Sequence, residues 1–511
     1  MKISCLASFL WLGINTVLAA PVIPTKDQSI QQIQWGTCSD DSPASLECGQ
    51  LQVPLDWSAQ NGELITLGIM RVRASDPSTR IGSLFFNPGG PGGAATDICI
   101  YQASTGLFSE ALMEKFDLIC PDPRGVGLST PVTCDPDTWN QNVSVFPKTE
   151  AELEELIKVN TAIGERCLNM TGPLLGHVDT VSAAKDIEAI RLALNDGKLN
   201  WLGASYGSQL GYVYAQLFPE NIRAMALDGI LDHTTSPRIT QSVEDATYED
   251  SLNRFFQWCA SNTTACGFEG TNLPKMFDNL VASANLTPVP APGCVATADT
   301  ALAGTCRPTV TGDDIILNVP NFLIQANHST ETSSWVGLGT ALNQSIIGNN
   351  ATLFSSPIAT TNTSMDFSST AISCLDWATY DISNTTQALL ELTQIQASAW
   401  ATNPHVGPAS QSWVIQMQCL GWPVAVVDPQ ELLDQHALSK APPILLVNSI
   451  HDPSTSYVWA QNIHKQIPNS VLLTRDGDGH TSVLLNGDAS AYISAYLVNG
   501  TLPADGTVVT S

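Results

Sequence analysis

The early chain carries the hydrophobic pattern of sheet strands. Residues 62–75, GELITLGIMRVRAS, place apolar side chains at alternate positions, which is typical of an antiparallel strand pair. Residues 82–93 and 116–130 each open with a largely apolar run and close in a turn rich in Gly and Pro. Because such runs are typical of strands covered on both faces, we expect buried strands at both places.

Strands alternate with helices further along the chain. Residues 180–194 carry apolar side chains at helical spacing, and residues 222–230, IRAMALDGI, have the pattern of a buried strand. Between them, residues 199–218, LNWLGASYGSQLGYVYAQLF, predict a short strand, a sharp turn and an amphipathic helix. Strands that alternate with helices through short Gly-rich turns predict a mainly parallel sheet with helices on both faces.

This pattern changes from about Asp232 to about Pro429. Helical segments such as YEDSLNRFFQWCA mix there with connections rich in Ser, Thr and Asn. Strands followed by loops resume at residues 442–456 and 470–482, and AYISAYLVNG near the end predicts a last helix. We therefore expect an α/β core in two parts, residues 21–231 and 430–511, with a large, mostly helical cap inserted over residues 232–429.

The amino terminus predicts secretion. Lys2 precedes an apolar run from Cys5 to Ala20, and small residues, Ala19 among them, precede a possible cleavage point. This is the pattern of a signal peptide, here residues 1–20, and the run is too short for a membrane anchor. No later stretch is apolar for long enough to cross a bilayer, so the expected location is extracellular.

The cysteine count agrees with an oxidising compartment. Of thirteen cysteines, removal of Cys5 with the signal peptide leaves twelve, an even number. Connectivity does not follow from sequence, and zinc is the rival explanation, but no CxxC or HxxxH cluster supports a metal site, so we expect none. Spacing suggests the pairs Cys38–Cys48, Cys259–Cys266, Cys294–Cys306, Cys134–Cys167 and Cys374–Cys419, which leaves Cys99 and Cys120.

Ten N-x-S/T sequons are candidate glycosylation sites, and seven of them fall between Asn262 and Asn384. Glycans need surface, so this part of the chain is expected to be exposed. The ten asparagines are Asn142, Asn169, Asn262, Asn285, Asn327, Asn343, Asn350, Asn362, Asn384 and Asn499.

The net charge limits the possible binding partners, and the chain length limits the possible architecture. The chain has 48 acidic and 21 basic residues, for a formal net charge of -27. Such a surface repels nucleic acid phosphates and anionic membranes, so we expect neither as a partner. With 511 residues, 43% of them hydrophobic, the chain is long enough to bury a full α/β core and a second domain.

Residues 203–207, GASYG, are the strongest catalytic signal. A Ser hydroxyl is a weak nucleophile that needs a base beside it. G-x-S-x-G at a strand-to-helix turn exposes the Ser side chain, and its small flanking residues let the backbone bend tightly. Ser205 is therefore the predicted nucleophile; the alternative is a tight turn in an ordinary βα unit.

The acid and the base are expected later in the chain. His480 lies in a Gly-rich loop after a carboxyl-terminal strand and is the predicted base, with His451 and His233 as weaker candidates. Asp452 ends the preceding strand and is the predicted acid, because a carboxylate there can orient the imidazole and stabilise its cation. Asp228, one strand earlier, is the alternative acid.

The oxyanion of an acyl-transfer reaction needs two backbone N–H donors. We expect them from Tyr206, directly after the nucleophile, and from Gly90 in the loop of residues 87–93, NPGGPGG. Glycines let the backbone approach the substrate, and the prolines stiffen the loop. Phosphate binding would need G-x-x-x-x-G-K-[ST] or G-x-G-x-x-G before a helix, and neither is present, so we expect no cofactor.

With these residues in place, the chain resembles the prolyl- and tripeptidyl-aminopeptidase group of α/β-hydrolase serine peptidases, above all its secreted tripeptidyl-aminopeptidase branch. The resemblance implies an α/β-hydrolase fold, peptide substrates and the same triad of Ser205, Asp452 and His480. It also implies that Cys374 and Cys419 pair. The matching segments are VPLDW, NPGGPGG, DPRGVGLSTPVTC, GASYGSQLGYVYAQLFPENI, LDGILD, ISCLDW, CLGWP and DGHTS, which span almost the whole mature chain.

Two departures from the family pattern leave the substrate open. Prolyl aminopeptidases usually begin the oxyanion loop with His, whereas this chain has Asn87. After the acid, the family pattern is closer to D-P-V-T-P, whereas this chain continues from Asp452 with Pro-Ser-Thr-Ser.

The cap decides which substrate the triad meets. An exopeptidase must neutralise the α-amine of its substrate, and four acidic residues of SVEDATYED could do so, although a charged run more often forms a solvated helix face, which is the expectation here. An esterase or lactonase acting on a small ester would use the same triad. A non-catalytic binding protein is the third reading, but such proteins usually lose a triad residue. The four acidic residues are Glu244, Asp245, Glu249 and Asp250.

Overall fold

The computed structural model describes residues 32–38, 42–43, 45–59, 62–269, 272–295, 302–326, 333–485 and 487–510. The predicted signal peptide and the sequon at Asn327 lie outside these residues.

Within the described residues, the main sheet has ten strands, and a separate, antiparallel sheet pairs Val289–Pro290 with Thr309–Val310. The strands are β1 (Gln34–Thr37), β2 (Leu46–Pro54), β3 (Leu64–Val72), β4 (Gly82–Asn87), β5 (Phe116–Pro121), β6 (Leu199–Ala204), β7 (Ile222–Asp228), β8 (Val289–Pro290), β9 (Thr309–Val310), β10 (Leu445–His451), β11 (Val471–Asp478) and β12 (Val508–Thr510). The main sheet has the order β1-β2-β3-β5-β4-β6-β7-β10-β11-β12.

The direction of the strands follows the hydrophobic pattern. The predicted antiparallel pairing is confirmed, since β3 runs antiparallel to β2 and to β5. From β5 through β4, β6, β7, β10 and β11 to β12 every pairing is parallel. All residues of β4, β5 and β6 are buried, as their largely apolar composition predicts. The edge strand β12 follows the last helix and was missed by the pattern of the sequence.

Helices cover the sheet and fill the interval between β7 and β10. They are α1 (Ala95–Thr105), α2 (Glu110–Lys115), α3 (Pro136–Trp139), α4 (Glu150–Thr171), α5 (Thr180–Leu194), α6 (Tyr206–Leu217), α7 (Pro237–Ser261), α8 (Thr263–Cys266), α9 (Leu273–Leu286), α10 (Gly312–Asn318), α11 (Pro320–Leu323), α12 (Trp335–Ile346), α13 (Met365–Asp376), α14 (Thr385–Thr402), α15 (Gln411–Gln418), α16 (Gln435–Leu438), α17 (Tyr457–Gln466) and α18 (Asp488–Asn499). Short 3₁₀ helices occupy Gly172–Gly176, Pro219–Asn221, Pro292–Cys294 and Thr352–Phe354.

The segment between β7 and β10 has its own hydrophobic core. Phe255 of α7, Phe277 of α9 and Trp413 of α15 are fully buried in it. Leu153 and Leu156 of α4 belong to the same core, so a helix that precedes β6 also contributes to the cap. The boundaries at residues 232 and 429 stay predictions.

All five cysteine pairs suggested by spacing are confirmed, and the described residues contain six disulfides. The remaining pair is the one left over, Cys99–Cys120, which joins α1 to β5. Each bridge closes a loop and so lowers the conformational entropy of the unfolded chain. The other five are Cys38–Cys48, Cys134–Cys167, Cys259–Cys266, Cys294–Cys306 and Cys374–Cys419. A search of the described helices finds no candidate membrane span.

Candidate active site

Ser205 occupies the turn between β6 and α6. Its backbone has φ 57° and ψ -125°, a conformation that residues other than Gly rarely adopt. A Cβ atom on Gly203 would lie 2.1 Å from the carbonyl oxygen of Gly207, and one on Gly207 would lie 2.5 Å from that of Asn87. The G-x-S-x-G pattern is therefore a steric requirement of this turn.

The loop after β4 packs directly against this turn. Gly89 has φ 95°, and a Cβ there would lie 2.9 Å from the backbone nitrogen of Tyr206. The side chain of Asn87 is buried, and its Oδ1 accepts a hydrogen bond from the Gly89 N–H at 3.0 Å. Asn87, the first residue of this loop, thus holds the backbone of the loop. Gly90 follows and lines a cavity together with Ser205.

Asp452 and His480 meet in the loops after β10 and β11. Both carboxylate oxygens of Asp452 lie 2.9 Å from Nδ1 of His480. Asp452 is fully buried and also accepts hydrogen bonds from the backbone N–H groups of Ser454 and Thr455, at 2.9 and 2.8 Å. The Thr455 hydroxyl donates to Asp452 at 2.9 Å and lies 3.2 Å from His480 Nδ1. The carboxylate is thus held by several donors at once.

This contact shifts the pKa values of both partners. Burial tends to raise the pKa of Asp452, but attraction to His480 and the surrounding hydrogen bonds outweigh it, and the pKa falls below its usual range. Burial tends to lower the pKa of His480, but Asp452 outweighs it, and the pKa rises. A protonated imidazole is thereby stabilised, as a base that accepts a proton during the reaction requires.

Asp228 makes a different set of contacts. Its Oδ2 accepts hydrogen bonds from the backbone N–H groups of Ser482 and Val483, at 2.6 and 2.7 Å, and its fully buried carboxyl has a pKa raised by burial. It therefore holds the chain just after His480, while Asp452 holds the imidazole.

The other two histidine candidates lie elsewhere. His233 Nε2 is 2.6 Å from the carbonyl oxygen of Asp376, and burial lowers its pKa to about 4. His451 Nδ1 is 2.8 Å from a carboxylate oxygen of Asp250.

Arg475 is a site residue that sequence reasoning missed. Its buried guanidinium donates to the carbonyl oxygens of Asp478 and Gly479, at 2.7 and 2.8 Å, and to the Ser482 hydroxyl at 3.0 Å. These bonds fix the loop that carries His480. The lone Arg of a strand gives no local sign that it will bind the loop that follows.

The cavity above Ser205 has a volume of about 620 Å³ and lies between core and cap. Ser205, Gly90 and His480 line one wall. The cap supplies apolar side chains opposite, and its Ile324 carbonyl accepts a hydrogen bond from the His480 N–H at 2.8 Å. Apolar members of the lining are Trp139, Tyr248, Leu317, Ile324, Val414 and Ile415.

A much smaller space of about 20 Å³, room for one water molecule, opens beside Ser205. Glu244 of α7 lines both this space and the large cavity. Gln209 lines the small space, and neither atom of its buried side-chain amide has a hydrogen-bond partner among the described residues. None of the residues that line the two spaces is Lys or Arg. A cationic group on a substrate therefore meets no cationic side chain along these walls, other than a protonated His480.

The expectation of a solvated helix face for the acidic run is wrong for three of its four members. Glu244, Asp245 and Glu249 are buried, with exposed fractions of 4%, 1% and 7%. Glu244 accepts a hydrogen bond from the Ser412 N–H at 2.8 Å, at the start of α15. Burial raises the pKa of Glu244, and that of Asp245, to about 7. Only Asp250 keeps a well exposed side chain, because α15 and the loop before it cover the others.

Glu249 has a structural role in the same helix. Its carboxylate accepts hydrogen bonds from the backbone N–H groups of His405 and Val406, at 3.1 and 3.2 Å.

Among the described residues, no group of three or more His, Cys, Asp or Glu side chains is arranged to hold a metal ion.

The predicted glycosylation sites are mostly accessible. Seven of the nine described sequon asparagines are exposed, and the other two, Asn343 and Asn350, are half-buried. Glycosylation itself stays a prediction.

Comparison with known proteins agrees with this architecture. Residues 82–268 match the family model described as "alpha/beta hydrolase fold", and residues 405–509 match the model described as "TAP-like protein". The serine protease Hip1 of Mycobacterium tuberculosis is 29% identical over 93% of this chain and 90% of its own length.

Two further relatives carry different activities in their names. The tripeptidyl aminopeptidase of Streptomyces coelicolor is 27% identical over 92% of this chain and 84% of its own. The carboxylesterase B of Mycobacterium tuberculosis is 28% identical over 96% of this chain and 91% of its own. The chain is therefore a serine hydrolase with the α/β-hydrolase fold, and its carboxyl-terminal region is similar to that of TAP-like proteins.

Proposed function

We propose that this protein is a secreted serine aminopeptidase that releases amino acids or short peptides from the amino termini of peptides. The observation that carries the proposal is Glu244, a buried carboxylate of the cap that lines both spaces beside Ser205. Without a cation in the lining, this carboxylate is a suitable partner for the α-ammonium group of a substrate.

The chemistry proceeds through an acyl-enzyme. The Ser205 hydroxyl oxygen attacks the scissile carbonyl carbon while His480 takes its proton, and Asp452 stabilises the imidazolium. The oxyanion accepts hydrogen bonds from the backbone N–H groups of Tyr206 and Gly90. His480 then gives the proton to the leaving amine, the C–N bond breaks, and water releases the acyl group by the same sequence of steps.

Recognition of the amine sets where the peptide is cut. Glu244 and the amide of Gln209 lie in the small space beside Ser205, so an ammonium bound there lies close to the scissile bond. The large cavity of about 620 Å³ leaves room for further residues of the peptide. The relatives named tripeptidyl aminopeptidase and serine protease support peptide substrates for this chain as well.

The amine test compares peptides that differ only at the amino terminus. We expect a peptide amide with a free amino terminus to be cleaved, and its N-acetyl form to lose most of its kcat/KM, because a neutral amide forms no ion pair. In a Glu244→Gln variant the free-amine peptide should lose about tenfold or more, since a charge-assisted hydrogen bond is worth over 1.4 kcal/mol. Glu269→Gln, an exposed cap residue, is the matched control and should leave kcat/KM unchanged.

The same assays distinguish the aminopeptidase from an alternative function. One relative is named carboxylesterase B, which favours an esterase or lactonase acting on a small ester as the second candidate. Efficient cleavage of short-chain esters with no cleavage of free-amine peptides would establish that candidate and reject the aminopeptidase. Labelling of Ser205 by a fluorophosphonate probe, lost in Ser205→Ala, tests the nucleophile under either activity and excludes a non-catalytic binding protein.

Secretion and processing complete the proposal. We propose that the signal peptide of residues 1–20 is removed and that exposed sequons, such as Asn262 and Asn384, carry glycans. Six disulfides support folding in an oxidising compartment. Amino-terminal sequencing of the secreted protein and the mass change on deglycosylation test both points.

A further inference from the structure

A second pocket adjoins the active-site cavity. This annex has a volume of about 180 Å³ and shares Trp139, Thr370 and Gln418 with the cavity above Ser205. Its remaining lining residues are Gln141, Asn142, Val143, Val145, Leu156, Asn160, Ile163, Arg307 and Trp422.

Arg307 is the only charged residue among those that line the annex. Its guanidinium is half-buried and donates one hydrogen bond, from Nη2 to the carbonyl oxygen of Asn140 at 3.2 Å. No carboxylate of the described residues forms an ion pair with it. The chain has 48 acidic and 21 basic residues, yet no acidic side chain lines the annex beside Arg307. An anionic ligand could therefore pair with this guanidinium.

A second residue of the annex lining carries a donor that lacks an acceptor. The indole N–H of Trp422, in the CLGWP segment, is buried and has no hydrogen-bond partner among the described residues. A buried donor without an acceptor costs free energy, which a bound acceptor would recover. Arg307 and Trp422 therefore both favour a ligand that accepts hydrogen bonds and carries negative charge.

The position of Arg307 links it to the reaction. Its backbone N–H donates to the carbonyl oxygen of Ser356 at 3.1 Å, and Ser356 lines the active-site cavity. The neighbouring spaces thus differ in charge, with the carboxylate of Glu244 beside Ser205 and the guanidinium of Arg307 in the annex. A peptide that carries both an ammonium and a carboxylate complements both ends.

We propose that the annex is a subsite for a carboxylate of the peptide substrate, bound by the Arg307 guanidinium and the Trp422 indole N–H. The inference rests on the proposed peptidase function. The planar guanidinium suits a carboxylate, with which it forms two parallel hydrogen bonds. An acidic side chain or the terminal α-carboxylate of a short peptide supplies this group equally well.

Two series of peptides distinguish these sources. In the first, Glu replaces Gln in turn at each of the first six positions of a C-terminally amidated peptide that has a free amino terminus. In the second, peptides of two to six residues are compared as free acids and as amides. We expect about a tenfold higher kcat/KM for the carboxylate member of a pair in one series, because a charge-assisted contact is lost in its neutral partner.

Variants assign that preference to the annex. Arg307→Gln should bring the ratio close to one, while Trp422→Phe, which removes only the N–H, should reduce it two- to threefold. Arg238→Gln removes the same charge from an exposed cap residue outside both spaces and should keep the wild-type ratio.

The results separate failure of the subsite from failure of the function. Cleavage of all peptides without any preference for a carboxylate, or a preference that survives in Arg307→Gln, overturns the subsite and leaves the aminopeptidase intact. If the wild-type protein cleaves none of the neutral amidated peptides but hydrolyses esters, the function fails and the subsite with it.

Discussion

Replacing the Glu244 carboxyl by a neutral amide should make the protein more stable at alkaline pH. The side chain is buried, and burial raises its pKa from 4.5 to about 7. The hydrogen bond that it accepts from the Ser412 N–H can also be accepted by the carbonyl oxygen of Gln. The Glu244→Gln variant therefore keeps this contact and removes only the ionisation.

The size of the effect follows from the two pKa values. A group whose pKa is raised in the folded state holds its proton there over a range in which the unfolded chain has already released it. Between pH 4.5 and 7 the free energy of unfolding therefore falls as the pH rises. A difference of about 2.5 pH units corresponds to about 3 kcal/mol in total, of which about 2 to 3 kcal/mol is lost between pH 5 and pH 8.

Denaturant unfolding followed by tryptophan fluorescence measures this at the two pH values. We expect Glu244→Gln to unfold close to the wild type at pH 5 and at higher denaturant at pH 8. Glu269→Gln makes the same chemical change at an exposed position and should follow the wild type at both values. If the wild type and Glu244→Gln lose the same stability between pH 5 and pH 8, the carboxyl is not held protonated by burial, and the reasoning fails.

Three further predictions concern the nucleophile turn and the base. Gly203→Ala places a methyl group 2.1 Å from a backbone oxygen and should abolish folded protein, whereas Gly36→Ala meets no atom within 4 Å and should express normally. The acid limb of the kcat/KM profile should have its midpoint above 6.5, since the pKa of His480 is raised and the base must be neutral; a midpoint below 6 contradicts this. The hydroxyl groups of Thr180 and Tyr206 form a buried hydrogen bond of 2.5 Å, which either Thr180→Val or Tyr206→Phe removes. Because both variants break the same bond, kcat of the double variant should be no lower than that of the more impaired single variant.

The core of the fold and the site residues on it were largely predictable, because their signals are local. Most of the parallel strands are short, largely apolar runs followed by a loop, and the parallel arrangement brings the ends of β6, β10 and β11 to one edge of the sheet. Ser205, Asp452 and His480 follow these three strands directly. Chain order alone therefore favoured Asp452 over Asp228, and the contacts of His480 agree with that choice.

The cap was not predictable in the same way, because its contacts join distant parts of the chain. Glu244 is buried by the start of α15, 168 residues later, and nothing in the sequence of α7 marks that face as covered. A charged run on a helix is more often solvated, so the general pattern favoured the wrong environment. Arg307 and Trp422 gave no signal either, since their shared pocket forms only when α3, α4 and α13 come together.

The buried acidic side chains of the cap depend on pH in a different way from the charge of the protein surface. A surface with a formal charge of -27 stays negative across the neutral range, whereas Glu244 and Asp245, with pKa values of about 7, gain their charges only near that pH. Glu244, which lines the small space beside Ser205, is therefore mainly neutral below that pH and mainly charged above it, where it attracts an ammonium group. His480 also loses its proton on the alkaline side of its raised pKa. Binding of the substrate amine and readiness of the base therefore strengthen together as the pH rises, and we expect KM for free-amine peptides, but not for their N-acetyl forms, to fall through pH 7.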